Sequence, residues 1–210
     1  PAPGVASESR LEAAKSAGEL QGAEILIWTT TPWTLPANVA VALHPDMEYS
    51  LFGVELSSGE QRRLMIAANL KDRVKDALKA KSWTHIKSWT GAQLVALNII
   101  CEAPFGGRES KAVLAGYVTA EDGTGIVHTA PGHGVDDFHT GQKNGLEVLC
   151  PVDASGRFTE LAPEFKGKQI FSEGNPAVIE ALKAKNRLLA EGKISHSYPH
   201  CWRCKNPIAF

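Results

Sequence analysis

The sequence predicts a strand-rich α+β fold, and three observations lead there. A chain of 210 residues with 43% hydrophobic content is long enough to bury a sizeable core. Nineteen Gly and twelve Pro cut it into short segments, which suits short strands better than a helical bundle. Most apolar runs are of strand length, and only a few stretches carry helical spacing. By size the chain falls between one large domain and two small ones, and we favour one.

Taken in order, residues 1 to about 20 are small and polar, with a short helix expected near 11–17. The first strand is expected at 24–30, where Ile25, Leu26, Ile27 and Trp28 form an apolar run. Further strands are expected at 39–43, 48–54 and 63–67. A helix follows from Asn69, because Leu70, Val74, Ala77 and Leu78 fall on one face with Lys and Asp between them. Strands are then expected at 83–89, 112–118 and 125–129, and a second helix from Val135 to the stop signal Asn144-Gly145. Residues 153–156 make a turn between Val152 and Phe158. A third helix opens with Asn175 as cap and Pro176 at its first position, and ends by Gly192. A last strand is expected at 193–198. The sequence shows no internal repeat.

No apolar run is long enough to cross a bilayer as a helix. The opening Pro1-Ala2-Pro3-Gly4 has neither an initiator Met nor a signal pattern, so we expect a piece of a longer intracellular chain. A net charge of -1 argues against gripping a nucleic-acid duplex through a dense basic surface, so nucleic-acid contact should be local. Four Cys do not make a secreted disulfide scaffold, and Cys201-x-x-Cys204 points to metal or redox chemistry.

Two segments carry chemistry. The first, Thr29-Thr30-Thr31-Pro32-Trp33-Thr34-Leu35-Pro36-Ala37-Asn38, follows a strand directly. Pro32 and Pro36 fix backbone angles and delete two N–H donors, so the segment must leave the sheet as a rigid outward loop. Its hydroxyls could hold a carbonyl, a ribose hydroxyl or a water. Equally, the Thr residues could close local turns while Trp33 fills the core. The second segment, Gly123 to Phe138, sets His128 at the end of a strand, then a Gly-Pro loop, then Asp136 and Asp137 at a helix start. Either acid could be an ordinary helix cap, and either His128 or His133 an ordinary structural histidine. There is no Gly-x-Ser-x-Gly elbow and no nucleophilic Cys signature, so any hydrolysis should use a positioned water.

At these two segments the chain resembles the editing insertion shared by isoleucyl-, valyl- and leucyl-tRNA synthetases. The Thr-Thr-Thr-Pro-Trp-Thr-Leu-Pro-Ala-Asn form is similar to the isoleucyl version, with Thr31 and Trp33 as the discriminating residues. The Gly-Thr-Gly-x-Val-His-Thr-Ala-Pro-Gly-His-Gly-x-Asp-Asp stretch resembles its bacterial or organellar branch, and His196 to Lys205 match the exit. The resemblance runs from about residue 22 to the end. It implies a distorted β-barrel core flanked by surface helices, with a leader at 1–21, an editing domain at 22–198 and an exit segment at 199–210.

The same resemblance implies an aminoacyl-tRNA deacylase that clears valine from valyl-tRNA(Ile) with no cofactor. Asp137 and His128 would be the catalytic residues: Asp137 would bind the substrate's α-ammonium group, and His128 would lie beside the amino-acid side chain and the ester, either as pocket wall or as a group assisting proton transfer. Thr29, Thr30 and Thr31 would line the terminal adenosine and aminoacyl group, with Trp33, Thr34 and Asn38 as further substrate-binding candidates. Asp136 is read as a cap and His133 as loop. Implied partners are the 3′ end of aminoacylated tRNA(Ile), its valine moiety and the parent synthetase core. A monomer in the cytoplasm or an organelle matrix is expected, away from membranes.

A pocket for isoleucine rejects valine weakly, because one missing methylene is worth only about 1 to 3 kcal/mol. A second cavity sized for valine reverses the test, since forcing an extra methylene into packed walls costs steeply. Cys201 and Cys204 supply only two of the four ligands of a structural zinc, and the resemblance places the other pair elsewhere in the full enzyme. We therefore expect no well-formed zinc site in this chain. Cys101 and Cys150 read as buried small hydrophobes. Two rival readings are a non-catalytic zinc or nucleic-acid binding module and a thiol redox domain, and neither accounts for the Thr-rich segment.

Overall fold

The computed structural model describes residues 18–121, 123–192 and 200–209. Its strands are β1 (Glu24–Ile25), β2 (Ala40–Leu43), β3 (Glu48–Glu55), β4 (Gln61–Ala67), β5 (Ser82–Thr90), β6 (Ile100–Glu102), β7 (Glu109–Leu114) and β8 (Val127–Thr129). Its α-helices are α1 (Lys71–Leu78), α2 (Gly91–Ala96), α3 (Val135–Asn144) and α4 (Asn175–Ala184). The strands form two four-stranded sheets, ordered β1-β4-β3-β5 and β6-β7-β2-β8. The strand-rich α+β class is thus observed. Each sheet ends in two different edge strands, so the described residues make two open sheets and not a closed barrel.

Two compact units interleave along the chain. The first takes residues up to Ile27, Leu43–Cys101 and Lys111–Ile126; the second takes Trp28–Ala42, Glu102–Ser110 and the chain from Val127 onward.

In the first unit β3 is the central strand, antiparallel to β4 and to β5, with Phe52 opposite Leu64 and Tyr49 opposite Trp89. Tyr49, Leu51, Phe52 and Val54 are buried, as a strand covered on both faces requires. Tyr49 accepts a hydrogen bond from the His44 N–H at 2.9 Å and donates to the Gly125 carbonyl at 3.0 Å. Burial pushes its phenol up to about 12. Helix α1 buries Val74 and Leu78 as its spacing predicts, while Ala77 faces solvent. The chain then leaves α1 through Lys79 in the left-handed region. Helix α2 opens on a capping box in which Thr90 and Gln93 satisfy each other's backbone N–H groups.

Three expected elements change. The strand expected at 24–30 pairs with β4 only over Glu24 and Ile25, with one further bond from the Leu26 N–H to the Met65 carbonyl. Trp28 is 45% exposed. The Thr29 hydroxyl accepts the Thr31 N–H, and this turn competes with the ladder. The strand expected at 112–118 lies earlier, at Glu109–Leu114, and β8 begins two residues later than expected. The helix expected at 11–17 and the strand at 193–198 lie outside the described residues.

In the second unit β2 and β8 form an antiparallel pair, with Val41 opposite His128 and Ala40 opposite Thr129. Helix α3 spans the predicted residues and ends on Gly145 in the left-handed region. Val152 bridges Phe158 around the predicted turn. The core here includes Phe158, packed on Phe165, which in turn meets Phe105 edge-on. Among the described residues, no helix is long and apolar enough to cross a membrane.

Candidate functional site

The Thr-rich segment is not the outward loop expected from its prolines. Residues Pro32–Ala37 form a 3₁₀ helix whose Trp33, Thr34, Leu35, Pro36 and Ala37 are buried. Proline suits this because its fixed φ matches the turn, and Pro32 stands at the helix start, where an N–H would have no partner. Thr29 and Thr31 bond each other: the Thr31 N–H donates to the Thr29 hydroxyl at 3.0 Å, and the two hydroxyls lie 3.4 Å apart. Thr30 lies between them, half-buried.

Trp33 is held from two sides. Its backbone N–H donates to Asn175 Oδ1 at 3.0 Å, across 142 residues of sequence. Its ring meets His133 edge-on at 5.0 Å and Phe171 at 6.3 Å. Asn175 is therefore not the helix cap it was expected to be. A π turn over Ile170–Gly174 leads into α4, which puts Asn175 inside helical geometry and turns its side chain to Trp33. The aromatic partner Phe171 had no signal in the sequence.

His128 is buried in the middle of a polar chain. The Thr34 hydroxyl donates to the Thr31 carbonyl at 2.9 Å and lies 3.0 Å from His128 Nε2. Asn38 Nδ2 donates to the Ala40 carbonyl at 2.9 Å and lies 2.9 Å from His128 Nδ1. These bonds assign the tautomer. Thr34 has one hydrogen and gives it to Thr31, so it must accept from Nε2–H. The Ala40 carbonyl fixes the amide's orientation, so Asn38 donates its second hydrogen to Nδ1. His128 is neutral and carries its hydrogen on Nε2. Burial, and secondarily the charge of His133, lower its pKa to about 4, which agrees with a ring that has an acceptor role to fill.

Asp137 occupies the third position of α3, and its Oδ2 accepts the Ala130 N–H at 2.8 Å. The bond closes the loop between β8 and α3, so the carboxylate is tied to the chain two residues beyond His128. That loop is tightly built. A Cβ at Gly132 would lie 2.3 Å from the Leu149 carbonyl oxygen, and one at Gly141 would lie 2.8 Å from the Pro131 ring. Asp136 is exposed on the first turn of α3, where its charge suits the helix dipole. His133 packs on Trp33.

The predicted site residues thus fall into three pieces of one unit: Thr31, Thr34, Asn38 and His128 in one network, Thr29, Thr30 and Trp33 flanking it, and Asp137 on the first turn of α3, bonded back to the loop that leaves β8. Sequence reasoning missed Arg108, whose guanidinium Nη2 donates to the Pro36 carbonyl. A single arginine after two glycines gives no signal.

Cys201 and Cys204 stand on a tight turn in which the Lys205 N–H donates to the Cys201 carbonyl at 2.9 Å. Backbone N–H groups of Cys204 and Arg203 lower the Cys201 thiol below its usual range. Among the described residues, no group of three or more His, Cys, Asp and Glu is placed to hold a metal ion. Cys150 is exposed, contrary to its reading as a buried hydrophobe, and Cys101 is half-buried.

No family model matches the chain. Among curated proteins it is 49% identical over 192 residues to the isoleucine–tRNA ligase of Moorella thermoacetica, covering 91% of this chain and 20% of that protein. It is 48% identical over 196 residues to the isoleucine–tRNA ligase of Methanosarcina mazei, covering 89% of this chain and 18% of that one. The chain therefore spans about a fifth of the length of the curated relatives it matches. A crystal structure of GlLeuRS-CP1 superposes with a TM-score of 0.62 at 13% identity, covering 91% of this chain and 93% of that one, which shows a shared fold. The chain belongs to the isoleucine–tRNA ligase family, as a segment about one fifth of those enzymes' length with the fold seen in GlLeuRS-CP1.

Proposed function

We propose that this chain is the editing domain of an isoleucyl-tRNA synthetase, which hydrolyses the ester of valyl-tRNA(Ile) with a positioned water and refuses isoleucine by size. The observation that carries this reading is His128: a buried, neutral ring whose two nitrogens are both held by neighbours. Such a ring cannot swing, and a wall that cannot swing is what discrimination by one methylene needs. With Nδ1 accepting from Asn38 and Nε2 donating to Thr34, His128 serves as that wall and not as the group that moves the proton.

Asp137 supplies the charge. A carboxylate fixed at a helix start can pair with the α-ammonium group of an aminoacyl ester and so admit only substrates with a free amino group. Thr29, Thr30 and Thr31 line the aminoacyl group and the terminal ribose. Hydroxyls and backbone N–H groups there stabilise the charge that develops on the carbonyl oxygen. The substrate is the 3′ end of aminoacylated tRNA(Ile), the tRNA body being held by the rest of the synthetase. The domain acts as a monomer, in the cytoplasm or an organelle matrix, and needs no cofactor. Cys201 and Cys204 contribute half of a zinc site that the longer enzyme completes.

The test is deacylation of valyl- and isoleucyl-tRNA(Ile) by the chain and by two variants. Asp137→Asn keeps an acceptor for the Ala130 N–H and removes the charge; Asp137→Ala removes both. Both should lose valine release by about a hundredfold, the cost of leaving a charged partner unpaired. Absence of valine-selective release in the parent chain, or full activity in the Asn variant, would remove this reading.

A further inference from the structure

The grip on His128 passes through the 3₁₀ helix Pro32–Ala37, because Thr34 lies inside it and Asn38 follows it. The helix is short and has poor internal bonding, as 3₁₀ turns do. Something outside it must fix its carbonyls, and the hairpin Glu102–Ser110 of the same unit does so. Arg108 Nη2 donates to the Pro36 carbonyl, while Arg108 Nε is buried with no hydrogen-bond partner among the described residues. A guanidinium kept half-buried with one donor unsatisfied is costly, so the bond to Pro36 must repay placing it there.

The hairpin is itself fixed. Its Ala103 N–H donates to the Arg108 carbonyl at 2.9 Å. Arg187, beyond α4, donates to the Ala103 carbonyl at 2.8 Å and the Pro104 carbonyl at 3.2 Å, and its Nη2 pairs with Glu102. Phe105 packs edge-on against Phe165 at 5.0 Å. Arg108 therefore reaches out from an anchored support.

We propose that Arg108 is a positioning residue, which sets the spacing of Thr34 and Asn38 through the Pro36 carbonyl and so locks His128 in its single orientation and tautomer. Arg108 does not meet the substrate. Its consequence for editing rests on the function proposed above, whereas its effect on His128 does not.

The experiment compares wild type, Arg108→Lys and Arg108→Gln, and reads the Nε2–H of His128 by nitrogen-15 NMR. Lys keeps a cation that can reach the carbonyl with one donor; Gln is too short to reach it. The exchange rate of the Nε2–H should rise in the order wild type, Lys, Gln, with the Gln variant about tenfold faster than wild type, the scale of one charged hydrogen bond. The Gln variant should also show averaging between the two ring tautomers. Equal exchange in all three proteins overturns the proposal, as does equal loss in Lys and Gln. If the Gln variant does not fold, the Lys variant decides, and exchange equal to wild type overturns the proposal. In parallel, the ratio of valyl- to isoleucyl-tRNA deacylation should fall in the same order while the KM for valyl-tRNA holds. Should the wild-type chain release no valine, the functional reading fails and the exchange measurement still judges Arg108.

Discussion

Tyr49 in the first unit and His128 in the second are both buried polar rings, and they are held in opposite ways. Among the described residues the Tyr49 hydroxyl bonds to backbone, taking the His44 N–H and giving to the Gly125 carbonyl. Among the described residues the His128 ring bonds to side chains, Thr34 and Asn38. A backbone partner is present whatever residues surround it, so Tyr49 fixes the path of the chain and little else. Side-chain partners are chosen residue by residue, so the orientation and proton position of His128 are set by sequence. The first arrangement builds a scaffold, and the second specifies a surface.

The largest difference should appear with pH. His128 has its folded pKa lowered to about 4 from 6.5, mainly by burial. The unfolded chain then binds a proton between those values and the folded chain does not. Stability from this group is complete above about pH 6.5 and is lost as pH falls toward 4, by up to about 3 kcal/mol. A His128→Gln variant should lack this part of the slope in urea melts taken from pH 7 to 4. Parallel slopes in the two proteins would mean the ring is not held neutral. Tyr49 makes no such contribution, because a phenol raised to about 12 stays protonated throughout this range.

Tyr49→Phe sharpens the contrast on the scaffold side. The ring keeps its packing, but the His44 N–H and the Gly125 carbonyl each lose a partner, at about 2 kcal/mol together. Denaturant unfolding should show that loss, and the ratio of valyl to isoleucyl release should not change. A change in the ratio would show that the scaffold reaches the site after all.

The same contrast explains what the sequence revealed. In the first unit, β3 and β4 were legible as short apolar runs, Leu51 to Val54 and Leu64 to Ala67, on either side of Ser57-Ser58-Gly59. Helix α1 was legible from Leu70, Val74 and Leu78. In the second unit the residue types of the site were legible and their geometry was not. Pro32 and Pro36 show that a strand ends, but they are equally compatible with an exposed loop and with a buried 3₁₀ turn. Asn175 before Pro176 has the composition of a helix cap, and only a bond spanning 142 residues reveals its partner. Arg108 carries no local pattern, because its meaning lies in a carbonyl 72 residues away.

Asn175 gives the smallest and most local test. Its Oδ1 receives the N–H of Trp33, a residue that is 4% exposed, so water cannot readily replace the acceptor. Asn175→Ala leaves that N–H without a partner and should cost about 1 kcal/mol. Because Asn175 sits inside helical geometry and is not the N-cap, Ala should not weaken α4 itself; its higher helix propensity should offset a few tenths of the loss. Asn175→Asp keeps the acceptor and should hold nearly full stability. Hydrogen exchange at the Trp33 amide separates the two outcomes, rising in the Ala variant and remaining slow in the Asp variant. An unchanged Trp33 amide in Asn175→Ala would show that the 3₁₀ helix is held without this bond, leaving Arg108 at Pro36 as its principal support.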